Sequence, residues 1–214
     1  MSDHGDGHGH EHDHAHDHAS SATMSQRVAG LVATLERKGV VTGQQLDRAV
    51  EEFLAHAKPA NGAAVVARAW VDPAFKARLL ADANAAIEEL GFDMRHWSYV
   101  KLRAVENTEH LHNVIVCTLC SCYPLSLLGP SPAWYKSVAY RSRVVRDPRG
   151  VLEEFGVTLD PGTEIEVWDS TAELRYLVVP RRPAGTEGMG EAELAKLVTR
   201  DSMIGTGLCA APPR

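Results

Sequence analysis

Cys117-Thr118-Leu119-Cys120-Ser121-Cys122 places three of the chain's four cysteines in one hexapeptide, directly after the strand-like run Asn113-Val114-Ile115-Val116. Such crowding does not serve folding through disulfides. A Cys120–Cys122 bridge closes a small strained ring, and a Cys117–Cys120 bridge constrains almost nothing in the unfolded chain. Metal ligation fits the spacing better. Thiolates at i, i+3 and i+5 of a tight turn all point at one ion, and the amide nitrogens of Ser121 and Cys122 lie inside the same loop. A structural zinc site asks for four side-chain ligands in a tetrahedron, commonly from two separated pairs. No second pair is present: Cys209 stands alone, and His110 and His112 occupy alternate positions of one strand before the loop. A sulfur-rich site completed by main-chain nitrogen points to a tetragonal or octahedral transition metal with one open position. On the residues alone, zinc, an iron–sulfur centre or a redox dithiol stay open as alternatives.

Outward from the loop, Val100, Leu102 and Ala104 alternate with Lys101 and Arg103, the period of a half-buried strand. Asn107-Thr108 turns the chain into a second strand, Leu111 to Val116, whose end delivers Cys117 and gives a strained loop a rigid base. His110 and His112 are read as strand-face or surface residues rather than ligands. After the loop, Pro124, Gly129, Pro130 and Pro132 keep the backbone irregular. Ser131-Pro132 starts a helix carrying Trp134, Tyr135 and Lys136, and Arg141, Arg143 and Arg146 form a basic cluster read as a solvated face. Asp147-Pro148 opens a short helix ending at Gly156. Residues 164–168 and 173–179 read as a strand pair, residues 191–200 as a last helix, and Cys209 as an uninvolved thiol.

Upstream, Val28, Leu31, Val32 and Leu35 at i, i+3, i+4 and i+7 predict a helix over 24–38, ended by Gly39. Thr42 and Gln45 have the spacing of a capping box and open a helix through Leu46, Val50, Phe53 and Leu54, which Pro59-Ala60-Asn61-Gly62 breaks. Residues 61–71 read as helical, and Asp72-Pro73 starts another helix running through Phe75, Leu79 and Ile87 to Gly91. Helices first and strands later make the fold class α+β.

Residues 1–23 are low-complexity, with His4, His8, His10, His12, His14, His16 and His18 set among Asp, Gly and Ala, and are expected to be disordered. Such a segment binds divalent metals weakly, either as a metal-acquisition tail feeding the loop or as a solvated tail. It carries five of the acids. The rest of the 214-residue chain holds 23 acids against 22 bases, so the net charge of −6 lies in the tail and gives no reason to expect nucleic acid or a membrane surface as partner. Hydrophobic content of 44% and charged content of 23% suit a soluble globular chain. No apolar run is of bilayer-crossing length and no secretory leader is visible. Clustered thiols without a disulfide framework suggest the cytoplasm.

The run Val116-Cys117-Thr118-Leu119-Cys120-Ser121-Cys122-Tyr123-Pro124 resembles the metal loop of the nitrile hydratase α subunit. Thr118 resembles the cobalt class, where the iron class usually has Ser. Ala69-Trp70-Val71-Asp72-Pro73, Val105-Glu106-Asn107-Thr108, Trp134-Tyr135-Lys136-Ser137, Tyr140 through Arg146, Arg175-Tyr176, Arg182 through Thr186 and Thr199 through Gly205 follow in the family's order, covering about residues 60 to 207. The resemblance implies a helical N-terminal arm (24–60) that packs on a partner subunit, a layered α/β/β/α-type catalytic domain (61–207) and a short C-terminal tail (208–214). It implies one trivalent cobalt per chain, in preference to iron, held by the sulfurs of Cys117, Cys120 and Cys122 and the amides of Ser121 and Cys122. Cys120 would be oxidised to the sulfinic and Cys122 to the sulfenic level. The catalytic set would be Cys122, Cys120 and Ser121, hydrating a nitrile to an amide by attack of hydroxide or of the Cys122 sulfenate oxygen.

The partners implied are a β subunit, whole or split into two chains, in a heterodimer or heterotetramer, and a metallochaperone or activator. No Arg neighbours the loop in sequence, so the arginines that hold the oxidised sulfurs would come from the β subunit. One departure stands out: relatives commonly read Pro-Trp-Pro after the loop, and this chain reads Pro124-Leu125-Ser126. The lost indole would widen the pocket toward bulky or heteroaromatic nitriles. It also leaves room for thiocyanate hydrolase, whose metal-bearing subunit is similar; a metal-storage or chaperone protein is the non-enzyme alternative.

Overall fold

A computed structural model describes residues 16–94 and 100–212, with side chains from Thr23 onward. The chain divides into two compact units, Met1–Glu52 and Phe53–Arg214. The first holds α1 (His16–Arg37) and most of α2 (Gly43–His56). Helix α1 starts well before the expected Met24, because the Ala- and Ser-containing run ahead of it has no Pro or Gly to stop it. The expected disorder of residues 1–23 is thus corrected for His16 to Thr23, while His4 through His14 lie outside the described residues. Gly39, at φ 65°, closes α1, with the Val40 amide donating to the Leu35 carbonyl at 3.0 Å. Thr42 and Gln45 form the expected capping box, each side chain accepting from the other's amide at 2.8 and 3.2 Å. Met24, Val28, Leu31 and Val50 are left exposed in this unit.

In the second unit, α3 (Pro59–Val71) begins at the proline itself, earlier than the expected Asn61, since a first-turn position needs no amide hydrogen. The single helix expected after Asp72 is two, α4 (Pro73–Ala81) and α5 (Ala83–Glu88). The break falls at Asp82, whose carboxylate accepts from the Ala85 amide at 3.2 Å, just as Asp72 caps α4 through Phe75 at 2.9 Å.

Among the described residues four strands follow: β1 (Lys101–Glu106), β2 (Leu111–Val116), β3 (Glu164–Asp169) and β4 (Leu174–Val179). The expected pairing of β3 with β4 is not found. β1 pairs in parallel with β4, and β2 in parallel with β3, making two two-stranded sheets. Parallel partners need a long crossover, which the segment between β2 and β3 supplies, whereas the short link after β3 only carries the chain to the other sheet. That crossover contains α6 (Leu125–Leu128) where irregular chain was expected, a 3-10 turn (Ala133–Lys136) where a helix was expected, α7 (Val138–Arg143) and α8 (Pro148–Glu154). The last expected helix is also two short ones, α9 (Glu191–Ala195) and α10 (Arg200–Ile204).

Helices α3, α4, α5 and α10 cover the β1–β4 sheet, α8 lies against β3, and β2 meets β1 and β4 across the middle, giving the α/β/β/α order. Val114, Val116, Leu127, Leu152, Leu177 and Ile204 are wholly buried here, each contributing about 1.5–3 kcal/mol through burial. Gly205, at φ 90°, ends α10 so close to β2 that a Cβ would lie 1.9 Å from the Asn113 carbonyl oxygen. Among the described residues no helix is long and apolar enough to cross a membrane.

Candidate metal centre

β2 ends at Val116, in register with Asp169 at the end of β3, and the chain turns at that edge into the cysteine loop. The Asp169 carboxylate grips the turn, accepting from the Thr118 amide at 2.9 Å and from the Thr118 hydroxyl at 2.5 Å. The entry and exit are fixed by tyrosines: Tyr140 donates to the Ile115 carbonyl at 2.6 Å and Tyr135 to the Cys122 carbonyl at 3.0 Å. Both phenols are buried, and burial raises their pKa values, so they stay protonated as donors.

This frame brings the three sulfurs together. All four cysteines of the chain are free thiols. Cys117 is buried, Cys122 half-buried and Cys120 exposed, yet their sulfurs lie within 4.8 Å of one another. The Cys120 sulfur is 3.4 Å from Cys117 and 3.1 Å from Cys122. The hydrogen bond from Cys122 lowers the Cys120 pKa to about 7, helped by Cys117 and by the amides of Ser121 and Cys122. Burial, followed by that same contact, pushes Cys122 up to about 12. Before any metal binds, the first proton to leave the pair is thus that of Cys120, the more exposed sulfur.

Three soft donors sharing one focus fit a metal ion, and among the described residues no His, Asp or Glu joins them. Remaining donors in the turn are main-chain nitrogens, those of Ser121 and Cys122. Two buried polar atoms beside the loop, the Tyr123 hydroxyl and Nε of Arg141, have no hydrogen-bond partner among the described residues. The arrangement suits a soft or borderline metal with room for a further ligand.

Cys120, Ser121 and Cys122 form one wall of a cavity of about 190 Å³. Met94, Val100 and Leu125 give it an apolar side, and Ser126 and Arg175 a polar one. A larger groove, of about 660 Å³, surrounds Asn107, His112, Arg181 and Cys209. Among the described residues no trio of ligating side chains lies in it. His112 is buried there with both nitrogens engaged, Nε2 with the Gly205 carbonyl at 2.7 Å and Nδ1 with the Asn107 amide group at 3.3 Å. Cys209 contacts Ser202 at 3.6 Å, and burial raises its pKa.

The chain matches the family model described as "Nitrile hydratase, alpha chain" over residues 22–207. It belongs to that family. The low-molecular-weight cobalt-containing nitrile hydratase subunit alpha of Rhodococcus rhodochrous is 50% identical, over 89% of this chain and 91% of that protein. The thiocyanate hydrolase subunit gamma of Thiobacillus thioparus is 39% identical, over 80% of this chain and 74% of that protein. A double mutant of the Fe-type nitrile hydratase of Comamonas testosteroni Ni1 superposes with a TM-score of 0.82 at 47% identity, covering 89% of this chain and 92% of that one. Nitrile hydratases are hydro-lyases, so this is an enzyme family, and this member carries a cysteine cluster able to hold a metal ion.

Arginines of this chain do reach the loop, though none neighbours it in sequence. Arg141, from α7, donates to the Cys120 carbonyl at 3.3 Å, and Arg175, from β4, lines the cavity beside Cys122. Sequence reading missed both because they arrive through the crossover and the second sheet. The only local hint was an arginine in an otherwise apolar strand.

Proposed function

We propose that this chain is the metal-bearing α subunit of a cobalt-dependent nitrile hydratase, converting a nitrile and water into the corresponding amide. The observation that carries the reading is three convergent cysteine sulfurs at the wall of a small, partly apolar cavity. The sulfurs of Cys117, Cys120 and Cys122 and the main-chain nitrogens of Ser121 and Cys122 would hold the ion, one per chain. Thr118 and the 50% identity to a cobalt-containing relative favour cobalt over iron. When bound, trivalent cobalt supplies a Lewis acid toward the nitrile.

The chain's own residues do the rest. Met94, Val100 and Leu125 seat the organic group and keep bulk water from it. Cys120 carries two oxygens and Cys122 one, since electron-rich, partly exposed thiolates oxidise stepwise. The oxygen on Cys122 takes a proton from the water that attacks the nitrile carbon. If it attacks that carbon itself, water then adds at the same carbon, the C–O bond to the sulfenate breaks and the sulfenate is returned. On either route both water protons finish on nitrogen. Ser121 orients the ligand set through its hydroxyl.

A β subunit, in one chain or two, completes the site in a heterodimer or heterotetramer of the cytoplasm, with the arm of residues 24–60 packing on it. The exposed Met24, Val28, Leu31 and Val50 are the apolar surface such packing would cover. A metallochaperone or activator would load the ion. Leu125 and Ser126 at the cavity wall support a preference for bulky or heteroaromatic nitriles. The test is turnover by the complex co-purified with its β subunit: kcat/KM for a cyanopyridine should exceed that for acetonitrile, and the reverse order would refute the preference.

A second reading, thiocyanate hydrolysis, is favoured by Arg175, the one charged side chain lining the cavity among the described residues, and by the 39% identity to the thiocyanate hydrolase subunit. Turnover of thiocyanate without turnover of any nitrile would select it.

A further inference from the structure

Arg175 has a place in the cavity that neither the loop motif nor the ligand set gives it. It lies on β4 in register with Leu102 and lines the same cavity as Cys120 and Cys122. Its Nη1 is tied to two main-chain carbonyls, those of Thr171 and of Leu174 (3.4 Å for the latter), which fixes the planar head. Nε and Nη2 make no hydrogen bond among the described residues, so donors are left over on a head already held in position. Cys122 and Arg175 share the lining of a cavity of only about 190 Å³. Arg141 differs. It reaches the Cys120 carbonyl, so it pins the loop's main chain rather than a sulfur.

We propose that Arg175 is a positioning residue for Cys122: its free N–H groups and charge hold the single oxygen carried by that sulfur and aim it into the cavity. The inference rests on the proposed function, which supplies the oxygen. With a peroxide as oxidant, the Cys122 thiolate attacks one peroxide oxygen and the O–O bond breaks. The sulfur loses two electrons to the peroxide, and the other oxygen leaves as hydroxide, which takes the remaining proton and becomes water. The product is an anionic sulfenate in a half-buried place. A planar guanidinium is the side chain suited to such an anion, because it offers parallel donors and a charge that pH does not remove. The β subunit then need not be the sole source of cations at this sulfur.

The test compares Arg175→Lys, which keeps the charge, with Arg175→Gln, which does not, in the complex co-purified with the β subunit. Readouts are cobalt content, oxygen on the Cys122 peptide by mass spectrometry, and kcat and KM for a nitrile. Arg175→Gln should keep its cobalt, lose the Cys122 oxygen and drop kcat about 10–100-fold with KM little changed. Arg175→Lys should recover most of the oxygen and part of kcat. Oxygen and kcat equal to wild type in both variants would overturn the proposal, as would equal loss in both, which marks a purely structural role. If Arg175→Gln fails to assemble, Arg175→Lys decides. Retained oxygen with lowered kcat supports the proposal, and wild-type kcat or lost oxygen contradicts it. A wild-type complex lacking cobalt and sulfur oxygen would instead sink the proposed function itself.

Discussion

At its start, β2 carries His112 and Asn113 into a network where each donor has an acceptor; at its end, the same strand delivers Cys117 into a loop where sulfurs crowd and donors are left over. Asn113 donates from its amide to Asn107 at 2.7 Å and from its side chain to the Glu106 carbonyl at 2.8 Å, and it accepts from Trp168 at 2.8 Å. Beside the loop, the Tyr123 hydroxyl and Arg141 Nε are buried without hydrogen-bond partners among the described residues. Satisfied polar groups in a core stabilise and specify one packing, whereas unsatisfied ones cost free energy that a binding site recovers when its ligand arrives. The difference teaches where evolution has placed stability and where it has placed chemistry on one six-residue strand.

Substitutions at the two ends should therefore separate the two properties. The largest effect is expected at the loop: Cys120→Ser should abolish tight metal binding and turnover while changing stability by no more than about 0.5 kcal/mol, because the side chain is exposed. Metal analysis beside denaturant unfolding of the metal-free chain measures both, and a large loss of stability would blur the comparison. At the other end, Asn113→Ala should lower stability by about 2–3 kcal/mol, by orphaning buried partners, yet leave the metal content of folded protein intact. Loss of metal at unchanged stability would reverse the assignment of the two ends.

The smallest effect concerns pH. Burial holds His112 below its ordinary value of 6.5, against the pull of the Gly205 carbonyl. Between the folded and unfolded values only the unfolded chain takes up the proton. The contribution is thus fully present above about pH 6.5 and declines as pH falls through that value toward the folded one. His112→Gln should flatten the fall of Tm between about pH 7 and about pH 5, whatever its effect at neutral pH. A slope equal to wild type would mean that His112 is not the group responsible.

Local signals were legible where physics is local. Thr42 and Gln45, Asp72 and Asp147 cap helices as read, with Asp147 accepting from the Gly150 amide at 2.9 Å, and the period of two found β1. Pairing was not legible. β3 and β4 look like neighbours because they are close in sequence, but each finds its parallel partner across a long crossover that leaves no periodic trace. Asp82 was hidden inside an apolar pattern that suits one long helix as well as two capped ones. At the site, the hexapeptide itself gave the three sulfurs. Asp169, Tyr135, Tyr140, Arg141 and Arg175 could not be placed there, since their arrival depends on sheet register and on the crossover.

The most direct test is metal analysis and peptide mass spectrometry on the complex purified with its β subunit. The expected result is one non-exchanging cobalt per chain, with two added oxygens on Cys120, one on Cys122 and none on Cys117. A complex holding only exchangeable zinc, with all three thiols unmodified, would contradict the account.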